Sequence, residues 1–199
     1  MRFLLYNIRY ATGGLPGRGP LQFFRPSKQL LDELVAYVRH VNPDVAGLVE
    51  VDAGSVPSRR RHQSLAIAEA LGHTHAYRSK YAADSFAHRI PILRRQGNAL
   101  ILRDASRPVR FHYFTAGVKR LVLEVELPDV AIFLVHLALG GRVRLRQLHA
   151  LYHLVRTATK PVLLAGDFNA FWGRHEIELF RAACGLLSAD PENRPTWPS

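Results

Sequence analysis

Cysteine is all but absent from this chain, with Cys184 the only one in 199 residues. A lone thiol cannot close an internal disulfide, so nothing points to an oxidising compartment and cytoplasm is the default. Long hydrophobic runs are missing as well. Stretches such as Val130 to Leu139 are interrupted well short of the ~20 residues that a membrane span requires. The opening residues, MRFLLYNIRY, lack the long apolar core and small-residue cleavage site of a secretory signal, and read as a strand that begins at once. Internal repeats and low-complexity tracts are also lacking. With 48% hydrophobic and 22% charged residues, a disordered tail, a collagen-like repeat and a coiled coil are excluded. The expectation is one domain over 1–199.

Acidic residues are in the minority, 16 against 27 basic ones, which gives a formal charge of +11. Lysine is scarce too, because 23 of the basic residues are arginine and 4 are lysine. Guanidinium groups fork onto phosphates, so a phosphate-bearing partner fits this balance. An arginine-rich solvated surface fits it equally well.

Apolar periodicity outlines the elements. A strand over Arg2–Ile8 is followed by a glycine-rich loop, Gly13 to Pro20. A helix from about Ser27 to Val41 carries Leu30, Leu31, Leu34, Val35, Val38 and Val41 on one face. A buried strand follows at Asp44–Val51, then a helix from about His62 to Leu71 that stops at Gly72. Further strands fall at Gly97–Arg103, Val109–Phe114, Arg120–Leu127 and Val130–Leu137. Pro128-Asp129 alone joins the last two, which predicts a tight antiparallel hairpin. A helix over about Arg142–Thr157, a strand at Pro161–Ala165 and a helix over about Arg174–Cys184 complete the pattern. Helix-linked strands at the start and a meander in the middle predict an α/β protein with two mixed sheets packed face to face and helices outside.

Several chemical signatures fail on inspection. GGLPGRG has no Gly-Lys-Ser/Thr ending, so it is not a P-loop, and Gly17-x-Gly19 lacks the third glycine of a dinucleotide site. His175-Glu176 begins like a zinc-protease helix, but Leu179 stands where the second histidine belongs. No Gly-x-Ser-x-Gly elbow is present. His73-x-His75 has no third ligand.

What remains is a set of polar residues closing apolar strands. Asn7 ends FLLYN, Glu50 ends DVAGLVE, His136 lies near the end of VAIFLVH, and Asp167 and Asn169 follow PVLLAG. Each has an ordinary role open to it: turn, cap, strand exit or buried histidine. Five together, at the places where α/β proteins gather their chemistry, favour a site. Carboxylate and amide oxygens are hard ligands, suited to Mg²⁺ or Mn²⁺, and a zinc cage lacks its donors.

The segments LLYNIRY, PDVAGLVEVDAGS, QGNALILR, KRLVLEVEL, FLVHLALGGR, PVLLAGDFNAF and RPTWPS resemble, in order, those of the endonuclease/exonuclease/phosphatase superfamily of metal-dependent phosphoesterases. The resemblance spans essentially the whole chain. It implies a deoxyribonuclease I-like four-layer α/β/β/α sandwich and a Mg²⁺-dependent phosphoester hydrolase. It further implies Glu50 as the main metal ligand, with Asn7 supporting it. Asp167 would orient or deprotonate the attacking water, Asn169 would hold the water or the scissile phosphate, and His136 would contact a phosphate oxygen in the transition state. Asn98, Arg120 and Arg142 are substrate-side candidates.

Two departures from the family pattern stand out. Arg9 occupies the position where some relatives carry a second acidic ligand, which favours a one-metal site. Relatives also continue past the Pro-Thr-aromatic-Pro segment into strands ending in Ser-Asp-His, so the chain as written is expected to be incomplete, lacking its last strands, and weakly active or inactive alone. A competing reading is an inactive family member acting as a basic nucleic-acid- or partner-binding module. Nucleic acid, a phospholipid head group and a sugar phosphate all suit the core as substrate. Net charge leans toward nucleic acid, and Tyr77, Tyr81 and Phe86 near Arg78 and Lys80 are either base-stacking or ordinary strand residues.

Overall fold

The computed structural model describes residues 1–11, 28–171, 174–190 and 192. The glycine-rich loop, the first residue of the expected opening helix and the RPTWPS segment lie outside the described residues. Eight strands pair into two mixed sheets of four. In the first, β1 (Phe3–Asn7) runs parallel to β2 (Val45–Asp52), and β4 (Gln96–Leu102) lies antiparallel between β2 and β3 (Thr74–Ser79). The second has the order β5 (Val109–Tyr113), β6 (Leu121–Glu126), β7 (Ala131–His136), β8 (Val162–Asp167). Its first three strands are antiparallel and its last pair, β7 and β8, is parallel. Each sheet thus carries one parallel edge pair.

Four helices cover the outer faces. Lys28–Val41 (α1) and Gln63–Leu71 (α2) pack on the first sheet. A single-turn helix, Phe86–Arg89 (α3), lies in the β3–β4 connection. Gly141–Val155 (α4) and His175–Cys184 (α5) pack on the second sheet. Helix α2 starts where the His62 side chain accepts the Leu65 N–H and stops at Gly72 in the left-handed conformation, as its sequence predicts.

Three apolar layers separate these four structural layers. Val38, Ile67 and Ala68 meet Ala46, Leu48, Val51 and Ile101 under the first pair of helices. Between the sheets, Val45, Val49, Leu100 and Leu102 meet Leu121, Leu123, Ile132 and Leu134. Leu148, Leu151, Val155 and Phe180 meet Val122, Phe133 and Val135 on the far side. In β7 the alternation splits between two cores, Phe133 and Val135 toward helices and Ile132 and Leu134 toward the other sheet. That is why its sequence reads as an unbroken apolar run. Gly47 lets the sheets approach: a Cβ there would stand 3.0 Å from Leu134 Cδ1. The β6–β7 hairpin turns through Pro128-Asp129, with the Leu127 N–H donating to the Val130 carbonyl at 2.9 Å.

Strand β8 extends two residues beyond the Ala165 end read from the sequence. Gly166 and Asp167 stay paired with Val135 and His136, because Gly166 adopts φ +147. Helix α4 closes at Val155, two residues before the expected Thr157. Among the described residues, no helix is long and apolar enough to cross a membrane.

Candidate functional site

Parallel pairing brings β1, β2, β7 and β8 to a common end, and their last residues meet there. Asn7 closes β1 beside Val49 of β2. One residue further, β2 breaks its ladder: the register with β4 shifts between Leu48 and Val51, and Glu50 sits at φ +57. A bulge re-aims the side chain it carries. Val49 and Val51 both stay buried, and only Glu50 between them turns outward, at 20% side-chain exposure. Asn98, buried in β4, braces this strained residue by accepting the Glu50 N–H on its Oδ1 at 3.4 Å. The other Asn98 amide atom, Nδ2, is a buried donor with no partner.

The second sheet delivers its residues without any break. His136 and Asp167 are direct register partners, and the Leu137 N–H donates to the Asp167 carbonyl at 2.9 Å. Asp167 Oδ1 accepts the Asn169 N–H at 3.0 Å, a local turn that puts Asn169 at φ +52. Asn169 Nδ2 donates back to the Leu137 carbonyl at 2.7 Å. Across the sheet boundary, Asn7 Nδ2 donates to Asp167 Oδ2 at 3.1 Å, while Asn7 Oδ1 accepts the Arg9 N–H at 3.0 Å. His136 Nε2 lies 3.9 Å from both Glu50 Oε1 and Asp167 Oδ2. The five strand-end residues of the sequence reading therefore share one cluster.

The three substrate-side candidates divide. Asn98 stands behind Glu50, as described. Arg120 donates from Nη2 to Asp84 at 2.9 Å and its backbone N–H pairs with the Lys80 carbonyl at 3.1 Å. Arg142 is exposed on the first turn of α4, with no hydrogen bond or ion pair to the cluster among the described residues. Of the aromatic residues, Tyr81 is buried and Tyr77 packs edge-on against His62 at 5.1 Å, so both serve the interior. Phe86 is 76% exposed. His73 meets the Pro43 carbonyl and His75 packs against His62, so the His-x-His pair is spent on packing.

Sequence reasoning missed the cations. Lys119, just before β6, points its Nζ to His136 Nε2 at 2.8 Å and stands 3.9 Å from Glu50 Oε1. Lys80, just after β3, is only 3% exposed; its ammonium donates to the Tyr10 hydroxyl and lies over the rings of Tyr10 and Tyr81 at 4.9 and 5.2 Å. Tyr10 holds its place at φ +57, with its carbonyl accepting from Gln63 Nε2. Arg144, two residues past Arg142, is buried and donates to the carbonyls of Ala138, Leu139 and Asn169 while pairing with Glu176. The available signal was scarcity: two of the four lysines in the chain lie here.

Burial, with charge from neighbouring groups, sets the protonation states. Burial, with Lys119 close by, pushes the Lys80 ammonium down to about 8. Lys119 is also lowered by burial, against the pull of Glu50 and Asp167. Burial first, and then Lys119 and Lys80, pushes His136 down to about 2. His136 is consequently neutral at neutral pH, and with Lys119 donating to Nε2 its proton sits on Nδ1. Burial and the Glu50 charge hold the Tyr10 phenol well above its ordinary value.

A hard cation suits what is left over. Among the described residues, no three His, Cys, Asp or Glu side chains are grouped as a cage. Glu50, however, has carboxylate oxygens with no hydrogen bond of their own among those residues, facing only Lys119 and His136 at 3.9 Å. Mg²⁺ is characteristically held by one or two carboxylates plus water and substrate phosphate, so one free carboxylate at the mouth of the cluster fits it.

Two packed mixed sheets, with polar residues gathered at one end, define the architecture of a family of phosphoester-cleaving proteins. This chain belongs to the Endonuclease/Exonuclease/phosphatase family, whose model matches residues 4–198. A search of curated proteins by sequence found no match. Among solved structures, the human Nocturnin catalytic domain with bound sulfate is 20% identical with a TM-score of 0.64, over 99% of this chain and 76% of that one. A family protein from Leptotrichia buccalis C-1013-b is 15% identical with a TM-score of 0.62, over 92% and 74%. ANGEL2, described as a 2',3'-cyclic phosphatase, is 16% identical with a TM-score of 0.56; 82% of this chain spans 53% of it, about half its length. At these identities the likeness is one of fold.

Proposed function

We propose that this protein hydrolyses phosphoesters with the help of a Mg²⁺ or Mn²⁺ ion and an activated water, without a covalent enzyme intermediate. The observation that carries this reading is the convergence of Asn7, Glu50, His136, Asp167 and Asn169 from four strand ends of two sheets. A purely binding module has no need of two carboxylates flanking one neutral histidine.

Glu50 would hold the metal, with Asn7 beside it. The ion, when bound, neutralises charge on the phosphate and on the departing oxygen. Asp167 orients the water and accepts its proton as the water oxygen bonds to phosphorus. The ester P–O bond then breaks, and the leaving oxygen takes a proton from solvent. Asn169, locked by Asp167 and Leu137, presents a fixed amide edge. Neutral His136 acts as a hydrogen-bonding group and a support for Lys119, so positive charge toward the phosphate comes from the lysines.

Nucleic acid is the proposed substrate class, supported by the +11 charge and by Phe86 and Phe171 as exposed rings on which bases could stack. The test uses bis(p-nitrophenyl) phosphate with and without Mg²⁺. Glu50→Gln and Asp167→Asn are each expected to cut metal-dependent turnover by about 10²–10⁴ with unchanged thermal unfolding. Equal rates in wild type and both variants would overturn the assignment.

A further inference from the structure

Lys80 is an ammonium almost sealed from water, yet no carboxylate lies within ion-pair distance of it among the described residues. Its partners are a phenol and two aromatic faces. Glu50 is near enough to favour the charge but does not pair with it, and burial works against an ammonium held this way. Lys119 is only slightly better served, with Glu50 at 3.9 Å and a neutral imidazole at 2.8 Å. Lys119 opposes the charge on Lys80, and both ammonium groups oppose protonation of His136. A third donor, Asn98 Nδ2, is buried beside Glu50 without any acceptor. These three donors short of acceptors, two of them charged, all lie near Glu50, and His136 Nδ1 is a further buried donor without a partner.

The lysines come from different sheets. Lys80 leaves β3 and Lys119 leads into β6, and the backbone bond from the Arg120 N–H to the Lys80 carbonyl at 3.1 Å ties the two segments together. A ligand with several acceptor oxygens and two negative charges would match both ammonium groups at once, whereas a singly charged diester would leave one uncompensated.

We propose that Lys80 and Lys119 form an anion subsite that takes the doubly charged group of a terminal phosphate, so that the protein acts on phosphomonoester ends in preference to internal diesters. This names the substrate end for the hydrolase reading and rests on that reading for its place in the reaction. Binding itself can be measured separately.

The experiment is calorimetric titration of the whole chain, in EDTA at pH 7.5, with inorganic phosphate and with dimethyl phosphate. Inorganic phosphate is expected to bind at least about tenfold more tightly than the monoanion. Lys119→Met should weaken inorganic phosphate by at least about tenfold, Lys119→Arg by less, and Lys80→Met by a comparable factor if circular dichroism shows it folded. Should Lys80→Met fail to fold, Lys119→Met decides the matter, because its side chain is partly exposed. Equal affinity for the two probes, or phosphate affinity within twofold of wild type in Lys119→Met, overturns the subsite. Turnover of bis(p-nitrophenyl) phosphate with Mg²⁺ alongside either of those results removes the subsite and leaves the hydrolase. Lysine-dependent phosphate binding in a protein that cleaves no ester removes the hydrolase and leaves the subsite.

Discussion

The two sheets bring acid groups to the same end by opposite means. The second sheet does it through order: His136 and Asp167 are paired residues in an uninterrupted parallel ladder. The first does it by fault, with a bulge at β2, a glutamate at φ +57, and an asparagine with an unpaired amide behind it. Ladder-placed residues cost the fold little, and their position is as rigid as the strand. A bulge-placed residue stores backbone strain, held by its surroundings, and such strain gathers at functional positions. Glu50 and Asp167 are thus both acids of one cluster, but changes that alter the backbone freedom at their two places should be felt differently by the fold.

The most forceful way to break the ordered side is Gly166→Ala. A Cβ at this position would sit 1.9 Å from the Val135 carbonyl oxygen, and φ +147 excludes an L side chain in any case. The variant is expected to lose more than about 3 kcal/mol, or to fail to fold, in urea denaturation. A loss below about 1 kcal/mol would mean that β8 does not keep its ladder up to Asp167.

A second test works through pH. His136 takes its proton near 6.5 in the unfolded chain but only near about 2 when folded. Stability is therefore complete above pH 6.5 and declines as the pH falls below it, by up to about 1.4 kcal/mol per pH unit. His136→Gln should flatten the profile of melting temperature between pH 6.5 and 4. An unchanged slope would locate the acid sensitivity elsewhere.

The smallest effect is a difference between two variants. Glu50→Gly and Glu50→Ala both lose the partner of Lys119 and metal-dependent turnover, but only glycine relieves φ +57, so Glu50→Gly is expected to be the more stable of the two by about 1 kcal/mol. Equal stability would show that the bulge is not strained and would erase the contrast between the sheets.

How much of this was legible beforehand follows the same division. Residues ending apolar runs, from Asn7 through Asn169, stand out because strand periodicity stops at them and the family resemblance joins them. The layered sandwich was legible for a similar reason, since runs such as Val130 to Leu137 need cover on both faces. The bulge was not: DVAGLVEVD reads as one smooth strand, and its fault exists only in pairing with β4. Lys119 was invisible, and Lys80 stood out only as a charge near strand aromatics, because a lysine next to a strand ordinarily faces solvent, and what buries Lys80 is contributed by a distant segment, Tyr10. Arg142 and Arg144 make the point on one helix. Two positions apart along α4 is more than half a turn, so one arginine stays outside while the other goes to the interior.

Arg144 has a consequence for motion. One guanidinium holds carbonyls of both the loop after β7 and the loop after β8, through Ala138, Leu139 and Asn169, and anchors to Glu176 on α5. The two loops cannot open independently without abandoning a shared buried charge. The backbone amides around Ala138, Leu139 and Asn169 should therefore exchange with a common lifetime, so that these two stretches move as one body.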